Sequence, residues 1–189
     1  MKDESEQLRL DMYYNSIVDE LDTLDDFSLA ARLAYFLWSS LPDDELTAVA
    51  ASGNLAQPEV LRAQTERMLA DAKAARFTEN FVGQWLNLRE LEFTTPDKQL
   101  YPEYDTLLLD AMASETELFF TEVLKANRPL HEFIDSDWTM LNERLAEHYR
   151  IDGIVGLDFR KVSLRPEHRR GGLLTQASVL KVSANGTTK

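Results

Sequence analysis

One segment, Arg76–Leu91 (RFTENFVGQWLNLREL), constrains the fold more than any other part of the sequence. Large apolar side chains recur along it at helical spacing, which predicts one amphipathic helix with a wide apolar face. They are Phe77, Phe81, Trp85 and Leu88. Gly83 lies inside this run, where a glycine costs about 1 kcal/mol relative to alanine. We therefore expect a central core helix with a neighbouring backbone packed closely against Gly83.

The composition indicates a globular helical chain. Of the 189 residues, 44% are hydrophobic and 10% aromatic, and only seven are glycine and six proline. This composition argues against disorder and favours helices joined by short loops. We predict an all-α fold, an irregular or orthogonal bundle of about six to eight helices with little or no β structure. The alternative adds a small β-hairpin between Gly156 and Leu164.

Charge and cysteine content exclude several functional classes. The net charge of −13 makes nucleic acid and anionic membranes poor partners for the whole chain. There is no apolar run of about 18 residues, so we expect no membrane insertion. The absence of cysteine excludes disulfides, thiolate metal sites, a cysteine nucleophile and covalent c-type haem attachment. We predict no cofactor in this chain.

Composition shifts along the chain predict three segments. Residues 1–23 are strongly acidic and form an N-terminal extension, with a helix predicted over Ser5–Leu21. The acidic surface of this helix is either a docking patch for a basic partner or a solvated face. The middle of the chain is the main helical domain, and the end of the chain is basic, with Arg160, Lys161 and Arg165 as its first basic residues. Within the main domain, the acidic residues at 43–45 fit a helix start better than a metal site.

The longest predicted helix contains a carboxyl group in an apolar row. Glu115 lies at helical spacing among large apolar side chains, namely Leu108, Met112, Phe119 and Val123. A buried carboxylate must be paired or have a raised pKa, and the second case is a signature of functional acids. The alternative is a structural ion pair, with Arg32 or Arg89 as the expected partner.

A polar stretch between residues 135 and 148 supplies the other candidates for acid–base chemistry. The full set of catalytic candidates is Glu115, Asp135, Asp137, Asn142, Glu143 and His148. The segment Met140–Tyr149 is predicted to be helical. It contains neither a His-Glu-x-x-His zinc motif nor the Glu-x-x-His pair of di-iron bundles, so we predict no metal site. A polar network that fixes a loop to the bundle is the alternative to catalysis.

Two further regions are candidates for ligand binding. The aromatic loop over residues 93–104 either lines a groove or closes one end of the bundle. The chain ends in a basic region in which Arg169 and Arg170 are candidates for binding phosphate or a carboxylated glycan. Alternatively, this basic region lies against the acidic surface of the chain itself.

Several motifs resemble one protein family, DUF1592. The segments that carry the resemblance are LAARLAYFLWSSLPDDEL, ENFVGQWLNLREL, SETELFF, FIDSDWTMLNERLAEHYRIDGI and RRGGLLTQASVL. The similarity extends from about Leu24 to Arg165, which implies a helical domain over residues 24–165 and a separate segment over residues 166–189. The last part, from residue 166, resembles the beginning of the partner domain DUF1588. Five motifs in the same order make the resemblance specific.

The resemblance implies a larger parent protein. Members are abundant in planctomycetes and related bacteria, where they belong to exported proteins that often carry a c-type cytochrome module and sometimes carbohydrate-binding modules. It therefore implies an extracytoplasmic location, haem held in the parent protein, and neighbouring domains or polysaccharide as partners. The charged first residues do not resemble a signal peptide, so an exported chain of this sequence would be part of a longer protein. The resemblance implies no catalytic residues.

Two functions remain as expectations. The first is a helical scaffold or interaction domain of an exported, cytochrome-associated protein. The second is a catalytic domain, hydrolytic or redox-assisting, that uses the acidic and histidine candidates. Convergence of these residues in one concave pocket would favour the enzyme. Their dispersal into separate structural roles would favour the scaffold.

Overall fold

The computed structural model describes residues 24–93 and 95–184. The helix predicted over Ser5–Leu21 lies outside the described residues. The chain divides into two compact units, Met1–Ala74 and Ala75–Lys189. The described residues contain seven α-helices, are 59% helical when short 3-10 turns are included, and form one two-stranded sheet. This confirms the prediction of a mostly helical protein with little β structure.

The described part of the first unit contains three helices packed around Trp38. They are α1 (Asp26–Trp38), α2 (Asp44–Ala51) and α3 (Pro58–Ala70), followed by a 3-10 turn (Ala72–Ala74). The indole Nε1–H of Trp38 donates to the Met68 carbonyl at 2.9 Å, so the polar edge of this buried side chain is satisfied. Helix α1 turns Ala30, Ala34 and Leu37 inward, while Phe36 is 59% exposed.

An acidic residue caps each of the first two helices. Asp25 accepts the Ser28 N–H at 3.0 Å, and Asp43 accepts the Leu46 N–H at 2.9 Å. Asp43 also forms a two-pronged ion pair with Arg67 of α3, at 2.7 and 3.0 Å. This pair holds the pKa of Asp43 below its usual value. Capping therefore explains the acidic cluster at residues 43–45, as predicted from sequence.

Replacing Asp43 by alanine is expected to lower the unfolding free energy by about 1–2 kcal/mol, through loss of the cap and of a partly exposed ion pair. Asp44→Ala is the matched control, because Asp44 is exposed and makes no cap hydrogen bond. We expect less than about 0.5 kcal/mol for the control. Thermal or denaturant unfolding of both variants measures the difference. Equal losses in the two variants would contradict this role for Asp43.

The second unit is built on one long helix, α5. Its helices are α4 (Ala75–Trp85), α5 (Thr106–Lys125), α6 (Glu143–Tyr149) and α7 (Ala177–Val182). Its short 3-10 turns are Leu88–Glu90, Leu130–Phe133, Pro166–His168 and Leu173–Thr175. Asp105 caps the start of α5 by accepting the Leu108 N–H at 2.7 Å. Residues of α5 enter three separate hydrophobic clusters of this unit, which makes α5 its central element.

Helix α4 is shorter and less buried than the sequence predicts. It ends at Trp85, and Asn87 adopts a left-handed conformation before the next 3-10 turn. Phe81 and Trp85 are 38% and 52% exposed, so the prediction that both lie in the core is wrong. The face of α4 that is covered carries Thr78 and Val82. The expected backbone neighbour of Gly83 is also wrong: a Cβ there would meet only the Arg89 side chain, at 3.8 Å.

The small sheet replaces part of a predicted helix. Strands β1 (Trp138–Leu141) and β2 (Arg160–Ser163) pair antiparallel, with Trp138 opposite Ser163. The segment Met140–Tyr149 is therefore not one helix. Its first two residues belong to β1, where the preceding Trp138 and Thr139 have side chains that favour a strand. The sheet is also not a hairpin confined to residues 156–164, since the partner of β2 lies before α6 in the sequence.

Candidate functional site

Glu115 occupies the centre of a buried polar network on α5. Its side chain is only 1% exposed, within the apolar row that the sequence predicts. Thr139 of β1 donates to one carboxyl oxygen at 2.6 Å, and Tyr149 of α6 donates to the other at 2.5 Å. The Tyr149 hydroxyl in turn accepts the Ala177 N–H at 2.8 Å. This network ties α5 to three other elements of the unit.

Burial raises the pKa of Glu115 to about 7. The hydrogen bonds from Thr139 and Tyr149, and the positive charge of Arg170, act in the opposite direction but do not offset the loss of hydration. Burial and the adjacent Glu115 also raise the pKa of the Tyr149 hydroxyl, which stays protonated. The prediction of an ion pair with Arg32 or Arg89 is wrong, because two hydroxyl groups bind this carboxyl group.

A second buried network adjoins the first. The Thr116 hydroxyl oxygen is within hydrogen-bond distance of the Gln176 amide oxygen, at 2.7 Å, and of the Ser178 hydroxyl oxygen, at 2.6 Å. These contacts join α5 to the start of α7. The Gln176 amide nitrogen is buried without a hydrogen-bond partner among the described residues. Glu115 and Gln176 both line a cavity of about 10 Å³. That volume is near the minimum of about 10–15 Å³ for a single water molecule.

Tyr149→Phe is expected to lower the unfolding free energy by about 2–3 kcal/mol. The substitution removes the hydrogen bond to Oε2 of Glu115, whose Oε1 keeps Thr139, and leaves the Ala177 N–H without its acceptor. Each unsatisfied buried group costs about 1–3 kcal/mol. Tyr35→Phe is the control, because the Tyr35 side chain is 58% exposed. Denaturant unfolding of the two variants measures the effect. A loss below about 0.5 kcal/mol for Tyr149→Phe would contradict the network described here.

Asp135 and Asp137 lie in a different environment from Glu115. Both line an open, polar cleft of about 490 Å³. His131 and Arg165 contribute to the same cleft, together with Arg170. Both aspartates therefore border the same solvent-filled cleft. They are the only two of the six catalytic candidates among the residues lining this cleft.

The remaining catalytic candidates have separate positions. Asn142 caps α6 by accepting the Leu145 N–H at 3.0 Å. Glu143 accepts the Gly156 N–H at 2.6 Å and so fixes the loop that follows α6. His148 is partly buried beside an apolar cavity, and burial together with Arg170 lowers its pKa. Asn142 and Glu143 thus have structural roles, and His148 lines a different cavity from the two aspartates.

The two arginine candidates differ sharply in their surroundings. Arg169 is exposed in a left-handed turn, whereas Arg170 is partly buried. The guanidinium group of Arg170 lies 3.5 Å from the centre of the Tyr149 ring, and its Nη1 donates to the Thr175 carbonyl at 2.6 Å. Arg170 lines all three cavities described in this unit. Among the residues of the basic region, Arg170 therefore has the position best suited to contact a ligand.

Other members of the basic region pair within the chain. Lys161 lies 3.2 Å from Glu122 of α5, and its ammonium group lies 4.2 Å from the Trp138 ring centre. Arg165 pairs with Glu167 at 3.0 Å. These contacts match the expectation that the basic region binds acidic groups of its own chain, although Arg170 does not take part in an ion pair among the described residues.

The aromatic loop contributes to a cavity rather than only closing the bundle. Tyr101 and Tyr104 line an apolar cavity of about 200 Å³ beside α5 and α7, while Phe93 is 85% exposed. Leu108, Met112 and Leu180 form much of the remaining wall. Of the two interpretations of this loop, the structure therefore supports a groove.

Neither metal binding nor membrane crossing is indicated in the described part of the chain. No group of three or more histidine, aspartate or glutamate side chains there is arranged to hold a metal ion. No helix within residues 24–93 and 95–184 has the length and apolarity needed to cross a membrane.

The sequence patterns do not identify five residues of the buried networks. These are Thr116, Thr139, Tyr149, Gln176 and Ser178. All five lie within the motifs SETELFF, FIDSDWTMLNERLAEHYRIDGI and RRGGLLTQASVL, which carry the resemblance to one family. Small hydroxyl and amide residues inside otherwise apolar motifs are the available signal, because such groups require partners when buried.

The fold and these networks define a mostly helical domain with a polar core around its longest helix. The model of the family described as "PSD4: Protein of unknown function (DUF1592)" matches residues 24–151, well over half of the chain. The chain therefore belongs to the DUF1592 family. Neither the curated proteins nor the solved structures gave a significant match. The expected start of a DUF1588 domain after residue 165 stays a prediction.

Proposed function

We propose that this chain is a non-catalytic helical scaffold and interaction domain of a larger exported protein associated with cytochrome c. In that setting it positions neighbouring modules or holds a partner surface, including a polysaccharide. The location, the cytochrome and the polysaccharide come from the family resemblance. The non-catalytic role rests on the arrangement of the candidate residues.

The observation that carries this proposal is the dispersal of the six catalytic candidates. Glu115 is enclosed by hydrogen bonds in the core, next to a cavity too small for a substrate. Asn142 and Glu143 bind backbone N–H groups. Of the six, only Asp135 and Asp137 share an open cleft. A general acid and base must both reach the reacting atoms, which this distribution does not favour.

Exposed apolar side chains in the second unit support an interaction role. Trp85 is 52% exposed, and its ring lies 6.1 Å from that of Phe133. Leu130 and Ile134, at the two ends of the same 3-10 turn, are 77% and 71% exposed. The contact between Trp85 and Phe133 brings the two segments that carry these exposed side chains together, and exposed apolar groups on adjoining segments often mark a binding surface. We name Trp85, Leu130 and Ile134 the aromatic-edge patch.

A catalytic domain, hydrolytic or redox-assisting, is the second candidate. The cleft that contains Asp135, Asp137 and His131 favours it, because two carboxyl groups and an imidazole can divide acid and base roles. Catalysis would then take place in the open cleft and not at Glu115.

A thermal-shift screen separates the two functions. The probes are a c-type cytochrome and neutral and acidic oligosaccharides, tested on the wild type, Asp135→Asn/Asp137→Asn and Trp85→Ser. A partner at a hundredfold excess over its Kd adds about 2.7 kcal/mol of stability. We expect a saturable shift for at least one probe in the wild type and the aspartate variant, with a smaller shift for Trp85→Ser.

The same samples are assayed for probe turnover. Hydrolysis or redox conversion by the wild type that is lost in a folded Asp135→Asn/Asp137→Asn protein would overturn the scaffold proposal and establish the catalytic one. A shift that is unchanged in Trp85→Ser would exclude the aromatic-edge patch as the binding surface.

A further inference from the structure

The apolar cavity beside α5 and α7 combines a hydrophobic wall with positive charge. Its volume of about 200 Å³ suits one small ring with a short substituent, and most of its surface is apolar. Tyr101 and Leu108 are among the residues that form the wall. The charged residues at the cavity are Arg170, Lys181 and Glu103. Ligand sites commonly have this combination of an apolar body and a few polar groups.

Arg170 is held in a fixed orientation at this cavity. Its guanidinium group stacks on the Tyr149 ring at 3.5 Å, and its Nη1 donates to the Thr175 carbonyl at 2.6 Å. Among the described residues no carboxylate forms an ion pair with it. The hydrogen bond to Thr175 uses Nη1, and the charge of Arg170 also acts on the buried Glu115, but Nε and Nη2 donate no hydrogen bond among the described residues. The edge formed by Nε and Nη2 matches the two oxygens of a planar carboxylate.

Three other side chains at the cavity carry or can carry a charge, namely Lys181, His148 and Glu103. Burial lowers the pKa of Lys181, whose ammonium group donates to the Leu91 carbonyl and lies 5.4 Å from the Tyr104 ring centre. Burial and Arg170 lower the pKa of His148, so its imidazole is neutral at pH 7. Glu103 is exposed to solvent and is the one carboxylate among the lining residues.

We propose that this cavity binds a small carboxylate with an apolar ring, the ring against Tyr101, Leu108 and Leu180 and the carboxylate on Arg170. The charge complementarity and the apolar wall both select this class over a neutral sugar or a divalent cation. The proposal adds a small-molecule site to the chain and does not depend on the scaffold role, since a domain can bind such a ligand with or without a protein partner.

Calorimetric titration with benzoate and 3-phenylpropanoate tests the proposal, with the corresponding neutral amides as controls. We expect saturable binding of at least one carboxylate to the wild-type chain. We expect the amides to bind at least about tenfold more weakly, because they lack the charge-assisted pair with Arg170. Arg170→Gln should cause a similar loss for the carboxylate. Arg169→Gln, at the exposed neighbouring position, should change binding by less than about twofold.

Because Arg170 also stacks on Tyr149, its replacement could weaken the fold. Leu180→Glu provides an independent variant, since Leu180 lines the cavity but is 49% exposed on α7. It places a negative charge at the site and should lower carboxylate affinity at least about tenfold while circular dichroism stays unchanged. The proposal is overturned if neither carboxylate binds, if the amides bind equally well, or if folded Leu180→Glu binds the carboxylate like the wild type.

Discussion

The unfolding free energy is expected to fall by roughly 3 kcal/mol as pH rises from 4.5 to about 7, through the contribution of Glu115. The folded protein raises the pKa of this carboxyl group from 4.5 to about 7, so between these values the folded state holds a proton that the unfolded state releases. The stabilising contribution is fully present below pH 4.5. It is lost as pH rises through about 7, where the buried group must ionise.

Glu115→Gln should remove this contribution. The amide has nearly the same shape, stays neutral at every pH, and can still accept a hydrogen bond from Tyr149 while its amino group donates to Thr139. Denaturant unfolding at pH 5 and pH 8 gives the comparison between the variant and the wild type. Glu90→Gln is the control in the same unit, because Glu90 is exposed.

The contribution of Glu115 is obtained by comparing the unfolding free energies of the variant and the wild type, because the pH curve of the wild type alone contains other titrating groups. His148 has a lowered pKa, so its contribution to stability decreases as pH falls and opposes that of Glu115. Subtracting the curve of Glu115→Gln from that of the wild type isolates the carboxyl group. If the variant keeps the pH dependence of the wild type, Glu115 does not hold the raised pKa described here.

Gly172→Ala is expected to destabilise the second unit by at least about 3 kcal/mol. Gly172 has φ of +68° and ψ of 177°, a conformation that costs a residue with a side chain about 1–3 kcal/mol. A Cβ atom there would also overlap the Ile134 carbonyl group and lie 2.7 Å from the Phe133 carbonyl oxygen. Both neighbours are backbone groups, so the overlap can be removed only if the two loops move apart.

Gly153→Ala is the matched control for this effect. Gly153 also has positive φ, +87°, but a Cβ atom added there would meet no other atom within 4 Å. Gly153→Ala should lower the unfolding free energy only by the cost of the positive φ, about 1–2 kcal/mol. Thermal unfolding of the two variants separates backbone strain from close packing. Equal losses would show that the contact of Gly172 with residues 133 and 134 is not tight.

Local chemistry made part of this fold predictable. The helix start at residues 43–45 follows from a side chain that caps adjacent N–H groups, and the structure confirms it. The burial of Glu115 also follows from local spacing, because residues three and four apart share a helix face. Interactions within one turn are encoded in a short stretch of sequence, and this is why they could be identified.

Interactions between distant segments could not be predicted in the same way. Thr139 and Tyr149 lie 24 and 34 residues from Glu115, so the partners of this carboxyl group depend on how β1 and α6 pack on α5. Periodicity likewise placed Phe81 and Trp85 on one face of α4 but did not indicate whether another element covers it. The short run Trp138–Leu141 fits a strand or a helix equally well by pattern alone.

The most direct test of the buried polar network is the titration of Glu115 itself. Carbon-13 NMR of glutamate side-chain carboxyl groups follows each ionisation, and the resonance absent from Glu115→Gln identifies the correct signal. We predict a midpoint near 7, as expected for a carboxyl group enclosed in the core with a structural role. A midpoint at or below 4.5 would mean that Glu115 is ionised at neutral pH, and would contradict the raised pKa and the pH dependence of stability derived from it.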